Sequence, residues 1–494
     1  MASRGNQIAE ALILALLISA PALTNVYKGG VSDPDIWWHL RTGEWILRHG
    51  VVPHKDYFSA FSAGKPWAAY SWLFELLVFK CFPRLGLVGI VAYTSGMLVA
   101  ITAAVYHLIR RLQADFTACA LLTLAATFAM TRVYTPRPWL FSILFFTLQL
   151  DILMNVRRTG RVRELLWLPL IYAIWANVHI EFFYGAVILA LALGEAIVSR
   201  WRAAAKTQLS ATVLSGICIG CFAASLVNPY GWHIYEIGFD MAAHSGVNFV
   251  GEMQAIPFRA TADFFVLFLA FAAAAGLVWP PSGTEWPRRL PVFETALLTF
   301  AAIVSFRSTR DMWLLAVVAA ALVAQQFSSR KQPRPVAVFA VPIIAVGTAL
   351  ALCIGVRVFH LDNARLQDEL ASKMPVQAVK LIKDKGYVGP LYNSFDWGGY
   401  LIWDLRMPVS IDGRTNLVGD KRMARSAATW DGEPDWFSDA DLAAAGLVIA
   451  PVKEPLTQLL RTDSRFQLAY EDKIAAVFIA RRLHEIPAMS SSTQ

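Results

Sequence analysis

The sequence predicts an α-helical polytopic membrane protein of about eleven spans, followed by a C-terminal soluble α/β domain. Three observations carry this prediction. The 494 residues are 56% hydrophobic and only 16% charged, where a water-soluble chain carries about 25% charged residues. The apolar residues are gathered into runs close to the roughly 17–25 residues that cross a bilayer. After Arg357 the long runs stop, and charged residues, turn residues and short β-rich stretches replace them.

The runs fall at 8–27, 86–109, 114–131, 138–156, 164–178, 181–199, 209–227, 262–280, 291–306, 311–327 and 335–357, and 17 Trp and 30 Phe suit interfacial belts and lipid-facing packing. The first run follows Arg4 as a secretory signal would. No small-x-small site closes it and many spans follow, so it reads as an uncleaved helix. Pro66 to Phe82 is shorter, carries Glu75 and Lys80, and is either a helix lying in the interface or a further span. Basic residues decide, because cytoplasmic loops are enriched in Lys and Arg. With eleven spans and a cytoplasmic N-terminus, five clusters share one side: Arg110 and Arg111; Arg157, Arg158, Arg161 and Arg163; Arg200, Arg202 and Lys206; Arg288 and Arg289; Arg330, Lys331 and Arg334. Counting 66–82 as a span would place all of them outside. That segment therefore belongs to a first outer loop, 28–85, within a transmembrane domain 1–357, and 358–494 is a second domain that also lies outside.

This topology gathers the other polar helix ends on the outer side. They are Arg132 and Arg137; Asn177, His179 and Glu181; Asn228, His233, Glu236, Asp240, His244 and Glu252; and Arg307, Arg310 and Asp311. Outer loops are polar in any membrane protein and arginines snorkel, yet several of these residues interrupt apolar hairpins too tight for ordinary solvated loops. On the same side, directly after the first span, stands SDPDIWWHLRTGE, residues 32–44. Carboxylates so near hydrocarbon mark Asp33 and Asp35 as functional candidates. The stretch equally fits a plain helix start, with Ser32 or Asp33 as the cap and Pro34 in the first turn.

Residues 1–357 carry 28 Lys and Arg against 18 Asp and Glu, whereas 358–494 carry 16 against 18. The basic residues sit in short loops and form no single patch, which argues against nucleic acid as a partner. Neither nucleotide fingerprint, GxGxxG or GxxxxGK followed by Ser or Thr, occurs, nor an obvious Ser-His-Asp or metalloprotease motif. All five cysteines lie in or beside apolar runs; Cys218-x-x-Cys221 has no further His or Cys nearby and reads as helix packing. In the tail, 366–385 reads as one helix ending at Gly386, LYNSF, LIWDL, VSIDG and LVIAP as strands, and FQLAYEDKIAAVFIAR as a hairpin turning near Asp472-Lys473.

Chemistry on a lipid-anchored phosphate at a membrane surface needs a carboxylate to deprotonate an acceptor or hold a metal, cations for the departing phosphate, and an apolar groove. Asp33 and Asp35 are the catalytic candidates. Arg132, Arg137, Arg307 and Arg310 are the candidate phosphate ligands, since guanidinium matches phosphate bidentately. His39, one turn after Asp35, with Arg41, His179 and Glu181, completes the candidate substrate-binding set; for each histidine a structural hydrogen-bonding role is equally open.

The Asp-x-Asp pair just after the first span, the number of spans and the outer C-terminal domain together resemble the GT-C superfamily of membrane glycosyltransferases. Its members include protein O-mannosyltransferases, aminoarabinose transferases and oligosaccharyltransferase catalytic subunits. SDPDIWWHLRTGEWIL, VPHKDYFSAFSAGKPWAAYSWLFELL and YNSFDWGGYLIWDLRMPVSIDGRTNLVGD are similar to bacterial multispanning proteins placed with that superfamily. The resemblance implies a transferase at a bacterial inner membrane, with 358–494 a periplasmic domain, that takes a sugar from a polyprenyl-phosphate-linked donor, inverts the anomeric carbon, and passes the sugar to a lipid, glycan or protein acceptor on the periplasmic face. Asp33 or Asp35 would activate the acceptor or bind a divalent metal, Mg or Mn, and the arginines would hold the lipid phosphate. Oligosaccharyltransferase subunits carry Trp-Trp-Asp-Tyr-Gly in the outer domain, whereas this tail has Phe395-Asp396-Trp397-Gly398-Gly399-Tyr400, so transfer to asparagine is not implied. Two other readings stand beside it. A transporter or flippase of lipid-linked glycans calls for ionisable residues at mid-span; a non-catalytic assembly protein calls for a partner of the outer domain.

Overall fold

The computed structural model describes residues 4–60, 62–201, 209–243, 250–279, 290–327 and 336–481. Arg202, Lys206, His244, Arg288, Arg289, Arg330, Lys331 and Arg334 lie outside the described residues. The first part of the chain folds as α1 (Arg4–Lys28), α2 (Ile36–His49), α3 (Trp72–Leu85), α4 (Leu87–Leu112), α5 (Phe116–Ala129), α6 (Trp139–Thr159) and α7 (Trp167–Val178). It continues as α8 (Phe182–Trp201), α9 (Ala211–Ser225), α10 (His233–Ala243), α11 (Thr261–Val278), α12 (Val292–Arg307), α13 (Met312–Gln326) and α14 (Ala340–Val358). A helix stands at each of the eleven apolar runs. Six of these helices, α1, α4, α6, α8, α11 and α14, are long and apolar enough to cross a membrane.

Composition decides where each helix sits. The sequence of α13, MWLLAVVAAALVAQQ, is apolar on every side, and Met312 to Ala324 is buried throughout, as an interior helix must be. Its alanines allow α4, α5, α11 and α12 to pack around it. The outer helices instead present large apolar side chains outward. Phe268 and Phe271 on α11 are 64% and 66% exposed and Leu350 on α14 is 59% exposed, a surface suited to lipid and not to water. At one end of the bundle Arg157 ties Glu195 to Glu294, and Arg111 pairs with Asp151 and Glu164. The opposite end carries the site described below.

Three of these helices, α2, α3 and α10, lie off the bundle's apolar runs. The 66–82 segment forms α3, which runs from Trp72 to Leu85 and packs against α2. Between the runs that end at 227 and begin at 262, α10 forms because Ile234 is fully buried and Tyr235 meets Phe182 and Phe183 edge-on.

In the C-terminal domain the helix expected over 366–385 is divided into α15 (Asn363–Ala371) and α16 (Val376–Lys385). Pro375 causes the break, having no N–H to donate and restricting the residue before it. Gly386 closes α16 in the left-handed conformation, φ 67°. Four strands, β1 (Leu391–Asn393), β2 (Leu447–Pro451), β3 (Phe466–Glu471) and β4 (Ala475–Ala480), form one sheet in the order β1-β2-β4-β3. β1 runs parallel to β2 and the other pairings are antiparallel, with the expected β3–β4 hairpin. Side chains alternate between faces as the pleat requires. Tyr392, Val448 and Phe478 enter a small core with Trp430 and Leu456, while Leu391, Ile449 and Val477 join the main core.

LIWDL and VSIDG are not strands. Residues 401–405 coil helically after Gly398-Gly399-Tyr400, burying Leu401, Ile402 and Leu405 at helical spacing. VSIDG makes one bridge, Ser59 to Val409, with the first outer loop. That bridge, with Ala60 N–H to Val409 O at 2.7 Å and Val409 N–H to Phe58 O at 3.0 Å, fixes the domain to the loop.

Candidate functional site

The loop between α1 and α2 separates the roles of its two carboxylates. Asp33 Oδ1 accepts the backbone N–H groups of Asp35 at 2.9 Å and Ile36 at 3.3 Å, so Asp33 supplies the capping oxygen at the start of α2. Asp35 occupies the position before the first helical residue but makes no side-chain cap bond. Its carboxylate is released from that local duty.

Both carboxylates converge on Arg137, which stands between two prolines in Thr135-Pro136-Arg137-Pro138-Trp139. Proline fixes its own φ and restricts the residue before it, so this α5–α6 connection presents the guanidinium from a stiff support. Arg137 Nε donates to Asp33 at 2.7 and 2.9 Å and Nη1 donates to Asp35 Oδ2. Glu252 lies 3.8 Å from Nη2, and the guanidinium stands over the Trp139 ring, 5.0 Å from its centroid.

Asp35, His39, Arg137, His179 and Arg310 line one cavity of about 400 Å³, a size in the range of small-molecule sites. His39 Nδ1 lies 3.0 Å from the buried Glu75 Oε1. His179 Nδ1 bonds Ser142 Oγ at 2.8 Å and faces Glu181 at 3.3 Å; Glu181 in turn lies 3.6 Å from Arg310. The loops after α1, α5, α7, α10 and α12 therefore meet at one end of the bundle.

The C-terminal domain closes the other wall with Phe395, Asp396 and residues 413–416. Its glycines allow the contact. A Cβ on Gly413 would lie 1.8 Å from Asp35 Oδ1, and one on Gly399 would lie 2.3 Å from the Pro34 carbonyl oxygen. Arg414, fully buried, bonds Asp56 of the first loop at 2.8 Å and Asp412 at 2.6 Å, with Phe58 and Trp67 against its guanidinium.

Burial dominates the electrostatics. It pushes the Asp35 carboxyl up to about 7; Arg137 pulls it back, while Asp33 and Glu252 add to the rise. Arg137 and Arg310 stay charged, their acid neighbours outweighing desolvation. A carboxylate near 7 beside fixed cations is a group poised to take a proton at neutral pH.

Of the residues singled out in sequence, Asp33 and Glu181 stand directly behind the cavity wall. Three others lie elsewhere. Arg132 forms a two-bond pair with Asp263, at 2.7 and 2.9 Å, at the start of α11. Arg41 bonds Glu44 at 2.7 Å near Phe58. Arg307 ends α12 exposed to the surroundings. Glu75, Glu252, Trp139, Asp396 and Arg414 belong to the site and were not selected. Glu75 was visible as the misfit acid of an apolar segment, and Arg414 as the one basic residue of IDGRTN; neither pattern names a partner.

The Asp33–Asp35 pair, the expected place for a divalent metal, is engaged by a cation of the chain itself. Arg137 already fills the space between the two carboxylates, and among the described residues no group of three or more His, Cys, Asp or Glu side chains is arranged to hold a metal ion.

No family model matches the chain, and neither does any curated protein. Among solved structures it is similar to the Archaeoglobus fulgidus oligosaccharyltransferase. The apo form of that protein aligns at 11% identity with a TM-score of 0.51, over 91% of this chain and 70% of that one. Its complex with Zn and sulfate aligns at 13% identity with a TM-score of 0.53, over 90% and 68%. At such identity the likeness is one of fold, and it extends over the bundle and the C-terminal domain together. The distant GT-C resemblance drawn from the sequence is met at that level.

Proposed function

We propose that this protein is a membrane glycosyltransferase that moves a sugar from a polyprenyl-phosphate-linked donor to a lipid, glycan or protein acceptor on the outer face of a bacterial inner membrane. The observation that carries the reading is Asp35, a carboxylate free of capping duty, facing a cavity shared with Arg137 and Arg310. Asp35 takes the acceptor's proton as the acceptor oxygen attacks the anomeric carbon from the side opposite the phosphate. The new C–O bond forms as the sugar–phosphate bond breaks, with inversion, and the electron pair leaves on the phosphate. Arg310 and Arg137 offset the charge that develops there. Asp33 acts through Arg137 and the start of α2. The N-terminus is cytoplasmic and the C-terminal domain periplasmic in this reading, and membrane lipids surround the bundle.

The test uses the full-length protein in lipid nanodiscs with a panel of polyprenyl-phosphate-linked sugars, and release of polyprenyl phosphate as the readout. Asp35→Asn should lower release by about 10²–10⁴-fold, the range for loss of a positioned base, with the thermal melt retained. Full release by a folded Asp35→Asn variant would refute the assignment.

A further inference from the structure

We propose that Arg137 permanently holds the place a divalent cation would take between Asp33 and Asp35, so that this carboxylate pair operates without a bound metal; the statement about operation rests on the transferase reading, the statement about occupancy does not. Three of the pair's four oxygens receive donors, and the fourth, Asp35 Oδ1, sits against Gly413 at the cavity. Asp33 Oδ1 receives Arg137 Nε and two backbone N–H groups, and Asp33 Oδ2 receives Nε at 2.9 Å. Asp35 Oδ2 receives Nη1, and Asp35 Oδ1 lies so close to Gly413 that even a methyl group there would overlap it. A Mg²⁺ ion requires about six oxygens near 2.0–2.1 Å in octahedral array, and here the approach is filled by a guanidinium.

The backbone that carries that guanidinium is held in place. Pro136 and Pro138 stiffen its backbone, its own carbonyl accepts the Tyr93 hydroxyl at 3.0 Å, and Trp139 lies against its face. A guanidinium remains protonated at any working pH, so it supplies fixed positive charge with no ion to lose. Glu252, the third acid near Arg137, is 3.8 Å away and belongs to a different loop. Removing the Arg137 side chain would leave the Asp33 and Asp35 carboxylates facing each other without their cation, the pair on which an added ion could settle.

Mn²⁺ binding, read by electron paramagnetic resonance on the full-length protein in nanodiscs without donor or acceptor, tests this. Wild type should show no saturable site up to millimolar Mn²⁺. Arg137→Ala should gain one at least tenfold tighter, and Asp35→Asn in the same background should abolish it. A saturable wild-type site that Asp35→Asn removes would overturn the inference, and so would a folded Arg137→Ala that gains none. Should Arg137→Ala fail to fold, the wild-type titration alone decides. Absence of transferase activity in a protein that also binds no Mn²⁺ would sink the transferase reading while leaving Arg137 in its place.

Discussion

Replacing Gly413 by alanine probes the contact on which the site is assembled. The added Cβ would lie 1.8 Å from Asp35 Oδ1, and ordinary contact begins at 3.4 Å, so the difference, roughly 1.6 Å, must be found by movement. Asp35 has little room to yield, because Arg137 stands against it and is itself anchored by Asp33 and Trp139. The 412–414 loop has no more, because Arg414 is bonded on one side to Asp56 and on the other to Asp412. Overpacking of this kind costs about 1–3 kcal/mol, and misaligning a charge-assisted hydrogen bond adds about 1.5–3 kcal/mol. A loss of about 4 kcal/mol is expected in the seating of the C-terminal domain on the bundle. Tryptophan fluorescence melting in nanodiscs, with limited proteolysis of the domain, measures it. Gly216→Ala on α9 is the control, since nothing lies within 4 Å of its added Cβ; a helix glycine replaced by alanine should be neutral or gain up to about 1 kcal/mol. If Gly413→Ala melts and resists protease as wild type does, the tight seating of Gly413 on Asp35 is wrong.

Arg414→Gln should cost about 3–5 kcal/mol by leaving Asp56 and Asp412 buried without their cation, whereas Arg461→Gln, at a pair with Glu471 that is about one-third exposed, should cost under about 1 kcal/mol; equal melting temperatures for the two variants would contradict this ranking. Asp35 also sets a pH slope. Its folded carboxyl, pushed up to about 7 from 3.8, holds a proton more tightly than the unfolded chain does. Its burial therefore removes stability progressively as pH rises from about 4 through about 7. Asp35→Asn should flatten the pH dependence of the melting temperature between pH 5 and 8, and parallel wild-type and variant curves would count against a raised Asp35.

The bundle was legible because the hydrocarbon requires it. Backbone groups inside a membrane must be satisfied within a helix, so the long apolar runs could only be helices, and basic clusters separated one set of helix ends from the other. Partners were less visible. Arg132 and Arg137 sit five residues apart in one connection and read alike as arginines at a helix end. Only the fold shows that Arg132 is taken by Asp263 while Arg137 reaches Asp33, more than a hundred residues earlier. In the outer domain LIWDL has a strand's composition, yet the preceding Gly-Gly pair and burial at helical spacing carry it into a coil. Pro375 was a readable break in 366–385 that the strong apolar spacing on either side concealed. Asp33 and Asp35 were equivalent in sequence, and only hydrogen bonding assigns the cap to one.

The pair between Asp56 and Arg414 joins residues 358 positions apart. A ribosome adding about 5–20 residues per second takes roughly 20–70 s to cover that interval. Throughout that time Asp56 has no Arg414, and Asp35 lacks the glycine surface that packs against it. The cavity wall is thus closed only after the whole bundle has been made. A chain interrupted before residue 413 carries the acidic loop and the arginines of the bundle without a finished cavity, so the wall that the outer domain supplies is the last part of the site to be laid down.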